Sequence, residues 1–382
     1  MTGISESTLL EKHLEAINVI DLDHAALVHN IEVVRNSIGK GRKLIAVVKG
    51  NCYGHGACSI APILEYNGVS MLATGAYGEA AKMRSVGVVT PILILGQVLR
   101  ETIKEVVSSG FVPTVGSLEE GRVVSNVAKS SVSVFVKIDS GFGRFGIPLI
   151  DAVSTVSQLV TMPRLAVEGI YTHLPFSDRH GLLWAGKQLQ HFEAIVAELS
   201  EIGIQIPITQ ALSSPGIMCG LQDELSAVAP GSMIYGINPL GADLAPEFGQ
   251  WEIRPVLSAI RTRLTHVTRR PLGSTARPSW PKSITTTGVV PIGLAHGYRT
   301  PRNGRTAVML VRGRRVFVHR VCLENMILDL SGIDNPKVGE EVVVVGKQGE
   351  SEVTMENLAD WQGSTTQAVM MGLGQAFVRR VI

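Results

Sequence analysis

From residue 43 onward, short apolar runs alternate with amphipathic stretches. "KLIAVVKG" precedes "ACSIAPILEYNG", "MLATG" precedes "GEAAKMRSVG", and "PILILG" precedes "RETIKEVVSSG". "FVPTVG" leads into "SLEEGRVVSNVAKS", "SVSVFVKID" into "IDAVSTVSQLVTM", and "LAVEGIYTHL" into the long "GLLWAGKQLQHFEAIVAELSEIG". "IPITQALS" and "VAPGSMIYGI" close the series. Uninterrupted, β-branched runs are what strands buried on both faces of a parallel sheet require. Each parallel crossover needs a connection long enough for a helix, so the alternation predicts βα repeats. About eight such repeats fit a (β/α)8 barrel. A doubly wound open sheet is the alternative.

The pattern changes near Trp251. "RPVLSAIRTRLTHVTRR", "SITTTGVVPIGLAHGY", "TAVMLVRGRRVFVHRVCLENMILDL" and "EEVVVVGKQGESEVTM" are β-rich and joined by glycine-containing turns, with one helix near "STTQAVMMGLGQAF". The fold class is therefore α/β: an N-terminal barrel over residues 1–250, followed by a mainly β domain over 251–382. The 382-residue length allows two domains. A net charge of +2, with 18% charged residues, is too balanced to favour nucleic acid or an anionic membrane. Cys52, Cys58, Cys219 and Cys322 show no metal spacing and read as reduced thiols, so no metal is expected. The first residues carry no basic and apolar leader pattern, and no spanning helix is expected, so the expected location is the cytoplasm.

Lys49 ends the first strongly apolar run. In a (β/α)8 barrel the C-terminal strand ends face the active site, and desolvation there would lower the amine's pKa and favour Schiff-base chemistry. The small residues that follow let a ligand approach the backbone. "AVVKGNCYGHG" resembles the AVVKANAYGHG motif of the alanine racemases, fold type III enzymes dependent on pyridoxal 5′-phosphate (PLP), departing only at Gly50 and Cys52. The resemblance runs over nearly the whole chain, through "VIDLDHAALVHNIEVVR", "VFVKIDSGFGRFGI", "GIYTHLPFSD", "VAPGSMIYGINPL" and "VHRVCLENMILDL". It implies a barrel followed by a β domain, an amino-acid substrate, PLP as cofactor, and a homodimer with shared active sites.

Residue by residue, the resemblance makes Lys49 the PLP-bearing lysine that moves the α-proton on one face. Tyr53, Ser213, Gly231 and the adjacent Ser232 match phosphate-binding positions, and Gln375 stands nearest a lost phosphate-contacting tyrosine. His173 matches a histidine near the cofactor ring. Arg144 matches an arginine that orients the ring hydroxyl and the substrate carboxylate, a task suited to its planar fork. Lys137 matches a lysine that is often carbamylated beside that arginine.

Departures from the family pattern gather at the reacting centre. The arginine that faces the pyridine nitrogen is replaced by Ala229, and no arginine lies between Arg179 and Arg254. The tyrosine base of the opposite face falls near Ser274 and Thr275, and no tyrosine lies between Tyr235 and Tyr298. The G-Y-A-D-G segment reads "GLAHG", giving Leu294 and His296, and C-M-D reads Cys322, Leu323, Glu324. The H-x-A-N-S motif runs from Thr209 to Ser213, with Leu212 in place of its asparagine. Cys322 and Leu323 would line the substrate carboxylate site. Racemisation needs a proton carrier on each face of the α-carbon. His296 is the first choice for the second, because histidine titrates near neutral pH; Cys322 and Tyr298 rank below it. The expected function is an amino-acid racemase of the alanine racemase type. The alternative is a one-base PLP enzyme using Lys49 alone for aldol transfer, transamination, decarboxylation or elimination. A degenerate, non-catalytic PLP-binding homologue is the third reading.

Overall fold

Eight parallel strands follow one another in hydrogen-bonded order: Lys43–Val47, Met71–Thr74, Ile92–Ile94, Val112–Val115, Val132–Asp139, Leu165–Tyr171, Ile208–Gln210 and Ala227–Val228. Ala227 pairs back onto Lys43, and Thr114 onto Phe135, so the sheet closes on itself. That closure makes it a barrel and rules out the open-sheet alternative. The computed structural model describes residues 16–96, 99–269, 281, 283–373 and 377–382.

The strands close because their side chains are apolar on both faces. Leu44, Ile45, Ala46, Leu72, Ala73, Ile92, Ile94, Val134, Phe135, Val136 and Ile170 are all buried. The intervening helices include Ala57–Tyr66, Tyr77–Ser85, Arg100–Ser108, Leu118–Val127 and Arg179–Glu201. Ser117 caps the fourth of these, accepting the Glu120 N–H, and Asp178 caps the fifth, accepting the Gly181 N–H.

One expected strand is shorter than its apolar run. In "VAPGSMIYGI" only the start is extended, and Ser232–Tyr235 is a 3-10 helix. Pro230 has no N–H, and the Gly231 and Met233 amides donate to the Ser214 hydroxyl rather than to a strand.

The chain resolves into two compact units. Residues 25–52 and 60–255 form the barrel unit; Tyr53–Ser59 and Val256–Ile382 group with the segment ending at His24 in the other. Among the described residues the second unit carries a ten-stranded sheet. Val19–Leu22 lies inside it, antiparallel to Leu257–Arg263 and parallel to Val378–Val381. Buried Asp21 receives Arg261 Nε at 2.7 Å and Arg380 Nε at 2.8 Å, tying these three strands together. The single helix expected here has a companion. Met355–Gln362 is helical as well as Thr366–Leu373, started by a reciprocal cap between Thr354 and Asn357.

Candidate active site

The mouth of the barrel is built from residues just past the strand ends. Lys49 lies two residues beyond Val47, Arg144 follows the strand that ends at Asp139, and His173 lies two beyond Tyr171. Ser213 follows Gln210, and Gly231 with Ser232 follows Val228. Five strands thus deliver six of the site residues named from sequence to one end of the barrel unit.

Their electrostatics show how closely some of them gather. Burial holds the Lys49 amine below its ordinary pKa, and the Arg144 guanidinium adds to the effect. Burial brings Lys137 down to about 7, with Asp139 opposing the shift and Arg144 reinforcing it. His173 falls to about 3, through burial first and then the charges of Lys49, Arg144 and Lys137. Lys49 therefore loses its proton more easily than a free lysine, and His173 is a neutral imidazole at physiological pH.

Two backbone devices hold the charged groups. After Lys49 the chain makes a left-handed turn: φ is 62° at Gly50 and 55°, 55° and 54° at Asn51, Cys52 and Tyr53. Such a conformation costs roughly 1–2 kcal/mol per non-glycine residue. Asn51 N–H donates to Glu79 Oε1 at 2.7 Å, and Cys52 N–H to Val48 O at 2.9 Å. The Arg144 loop is pinned by Asp139, whose carboxylate accepts the N–H groups of Gly141, Phe142 and Gly143 at 2.9–3.1 Å. The Arg144 guanidinium lies 4.9 Å from the Phe142 ring centroid and 5.5 Å from that of Phe145. It pairs with no carboxylate among the described residues.

Lys137 is the more enclosed of the two amines. Its Nζ donates to Ile138 O at 2.6 Å and stands 5.3 Å from the Tyr171 ring centroid. The Tyr171 hydroxyl is bonded to Thr114 Oγ1 at 2.9 Å, and burial raises its pKa. The Gly231 N–H, singled out for phosphate contact, donates to Ser214 Oγ at 3.0 Å. The Ala229 N–H donates to Leu212 O, and Leu212 is buried, so two of the positions that depart from the family pattern lie side by side. Glu79, Asp139 and Ser214 escaped the sequence reading. Glu79 and Ser214 bond backbone amides far away in sequence, whereas Asp139 bonds those of the loop that directly follows it.

The remaining candidates lie on the β-rich unit. Leu294 N–H donates to Cys322 O and Ala295 N–H to Leu323 O, so the "GLAHG" and "CLEN" loops are joined. A Cβ on Gly293 would stand 2.5 Å from Cys322 O, so this close approach requires glycine. Leu294 and Leu323 are 48% and 66% exposed. His296 Nδ1 accepts the Gly293 N–H at 3.2 Å, which leaves the proton of the neutral ring on Nε2. Tyr298 is buried, its hydroxyl has no partner among the described residues, and burial raises its pKa. Gln375, Ser274 and Thr275 lie outside the described residues.

A cavity of about 940 Å³ lies elsewhere in the barrel unit. Lys43, Met71, Val112 and Val132 at the strand starts line it, at the end opposite Lys49.

Residues 21–239 match the family model "Alanine racemase, N-terminal domain", and 273–381 match "Alanine racemase, C-terminal domain". The chain belongs to the alanine racemase family. The alanine racemase of Methanococcus maripaludis is 31% identical over 356 residues, 90% of this chain and 93% of that protein. That of Desulfosudis oleivorans is 32% identical, with 89% and 90% covered. Among solved structures, the Clostridium difficile 630 alanine racemase in complex with cycloserine aligns with a TM-score of 0.84 at 26% identity, covering 96% of both chains.

Membership is consistent with the donor set at the mouth. An amine shifted toward its neutral form, a neutral imidazole, a guanidinium with no carboxylate partner among the described residues and the Ser213 hydroxyl suit a cofactor that carries an aldehyde, an aromatic ring and a phosphate. Leu212 and Ala229 offer neither acid nor cation to a ring nitrogen.

The pH dependence of stability tests the state of His173. An unfolded histidine takes up its proton near 6.5, whereas folded His173 stays neutral down to about 3. Between these values the unfolded chain binds more protons. The contribution of His173 is complete above about 6.5 and is lost as pH falls toward 3. His173→Asn is expected to flatten the decline of the denaturation midpoint over this window. An unchanged slope contradicts a buried, neutral imidazole.

Proposed function

We propose that this chain is a PLP-dependent amino-acid racemase of the alanine racemase type. The observation that carries the reading is the convergence of Lys49, Arg144, His173 and Ser213 on one barrel end, with Lys49 held toward its neutral form. Bound PLP supplies the electron sink that acidifies the substrate α-proton. Lys49 holds the cofactor and takes or returns that proton at Nζ on one face. Arg144 grips the substrate carboxylate through its planar fork. Neutral His173 packs beside the cofactor ring without adding charge. Ser213, Ser232 and Tyr53 hold the phosphate, with Gly231 donating only in so far as Ser214 releases its amide. Gln375 is assigned to the same phosphate site, and Cys322 and Leu323 to the substrate end. A homodimer with shared sites and a cytoplasmic location complete the reading; among the described residues no helix is long and apolar enough to cross a membrane. The functional division follows the two compact units rather than a single cut at residue 250, because the segment ending at His24 and Tyr53–Ser59 group with the β-rich residues Val256–Ile382.

The direct test is formation of D-alanine from L-alanine by the PLP-loaded protein, followed with a D-specific oxidase. Absence of product across a panel of small and branched amino acids would sink the reading. His296 is assigned to the opposite face. It would carry the proton there at Nε2, donating as the imidazolium in one direction and accepting as the Nδ1–H tautomer in the other, so Nδ1 must release the Gly293 N–H for either step. His296→Ala is expected to lower both directions about 100-fold, the usual worth of a positioned acid or base. An unchanged rate removes His296 from the mechanism.

A further inference from the structure

The left-handed turn after Lys49 needs a cause outside itself. Three consecutive non-glycine residues, Asn51, Cys52 and Tyr53, stand at positive φ, and such strain persists only where the surroundings over-determine it. A side chain from another segment of the barrel unit meets this turn. Glu79, in the first turn of the helix Tyr77–Ser85, accepts the Asn51 N–H with Oε1 at 2.7 Å. Its second oxygen accepts the hydroxyl proton of Thr74, which is fully buried at the end of the neighbouring strand. Two donors thus converge on one carboxylate, joining a strand end to the strained turn.

We infer that Glu79 is a positioning residue, whose bridge between Thr74 and the Asn51 amide fixes the turn that aims Lys49 at the cofactor. Its two oxygens face two donors, so the acceptor-only ionised form is the one that satisfies both. A glutamine has one acceptor oxygen and presents N–H to the second donor, so one bond is lost and a donor is set against a donor. Thr74→Val withdraws only the hydroxyl and keeps the Asn51 bond. The bridge lies inside the barrel unit and touches no reacting atom, so its loss acts through the geometry of the turn.

The inference rests on the PLP reading, and the experiment separates the two. Apo-protein is titrated with PLP, and the dissociation constant is read from the visible absorbance. The pH midpoint for cofactor incorporation is read in parallel. A wild-type protein that takes up no PLP overturns the functional reading itself. With wild type binding, Glu79→Gln is expected to weaken PLP about tenfold and Thr74→Val about threefold, as lost hydrogen bonds to a charged group imply. The incorporation midpoint of Glu79→Gln is expected to move up, because a loosened turn lets water reach Lys49. A purely structural role would lower the unfolding midpoint and leave both quantities where they were. Glu79→Gln binding within about twofold of wild type, with an unmoved pH midpoint, overturns the inference. Should Glu79→Gln fail to fold, Thr74→Val decides alone: an unchanged constant overturns the inference, and a weakened one with a raised midpoint supports it.

Discussion

Lys49→Ala is expected to lose racemisation by at least about 1000-fold and to abolish the visible absorbance of protein-bound PLP, while the chain still folds. In the proposed reading one group is both the cofactor's anchor and the proton carrier on its face, so the rate is expected to fall. The fold survives because Lys49 is a half-buried amine at the start of a turn, and removing a desolvated amine leaves no buried partner unsatisfied. A second depressed lysine makes the experiment discriminating. Lys137 also lies near the mouth with its pKa down to about 7, but it is 3% exposed and its Nζ is committed to the Ile138 carbonyl. Lys137→Met is therefore expected to retain the absorbance. Absorbance that survives in Lys49→Ala and vanishes in Lys137→Met would reverse the assignment.

Gly146→Ala is the second large effect, and it acts through the backbone. Gly146 closes the loop that carries Arg144, at φ 127°. A Cβ there would stand 2.9 Å from Asp139 N, 3.0 Å from Lys137 O and 3.0 Å from Lys137 Cγ. Two of these three atoms belong to the backbone of a buried strand, which cannot give way. Adding the strain of a positive φ to the crowding predicts a loss of about 2–4 kcal/mol, measured by denaturant unfolding. The loop must shift to relieve the clash, which drags Arg144 off the carboxylate position. KM should therefore rise more than kcat falls. Wild-type stability together with wild-type KM would contradict the role given to this loop.

The barrel was readable from the chain because its strands carry an unusually plain signal. "IAVV", "ILIL" and "VFV" are apolar on both faces, as strands of a parallel sheet covered by helices require. The same plainness misled at "VAPGSMIYGI". A short apolar run does not distinguish strand from helix, and a hydroxyl 17 residues earlier in sequence decided the matter. The helix Met355–Gln362 was overlooked because its eight residues give a weak period, although Thr354 and Asn357 carried its starting signal. Placing Val19–Leu22 in the β sheet required long-range pairings, with Leu257–Arg263 and Val378–Val381, that no local pattern encodes.

The site divides along the same line. Lys49, Arg144, His173 and Ser213 could be assigned to one barrel end because each follows a strand end inside a recognisable motif. Their supports could not. Glu79 bonds across 28 positions, and Asp139 looks like an ordinary acidic strand terminus until its three amide partners are seen. Chemistry was thus legible where it sits on side-chain identity, and illegible where it sits on backbone shape. Ala229, Leu294 and Leu323, where the sequence departs from the family pattern, are the positions whose consequence for the reaction is decided by measurement.

That measurement is α-proton exchange during turnover. The PLP-loaded protein is incubated with L-alanine in D2O, and both enantiomers are recovered and analysed for deuterium. A two-base racemase predicts D-alanine carrying deuterium at the α-carbon from the earliest time points. Exchange into L-alanine with retained configuration, and no D-alanine, would contradict racemisation and show a proton moving on the Lys49 face alone.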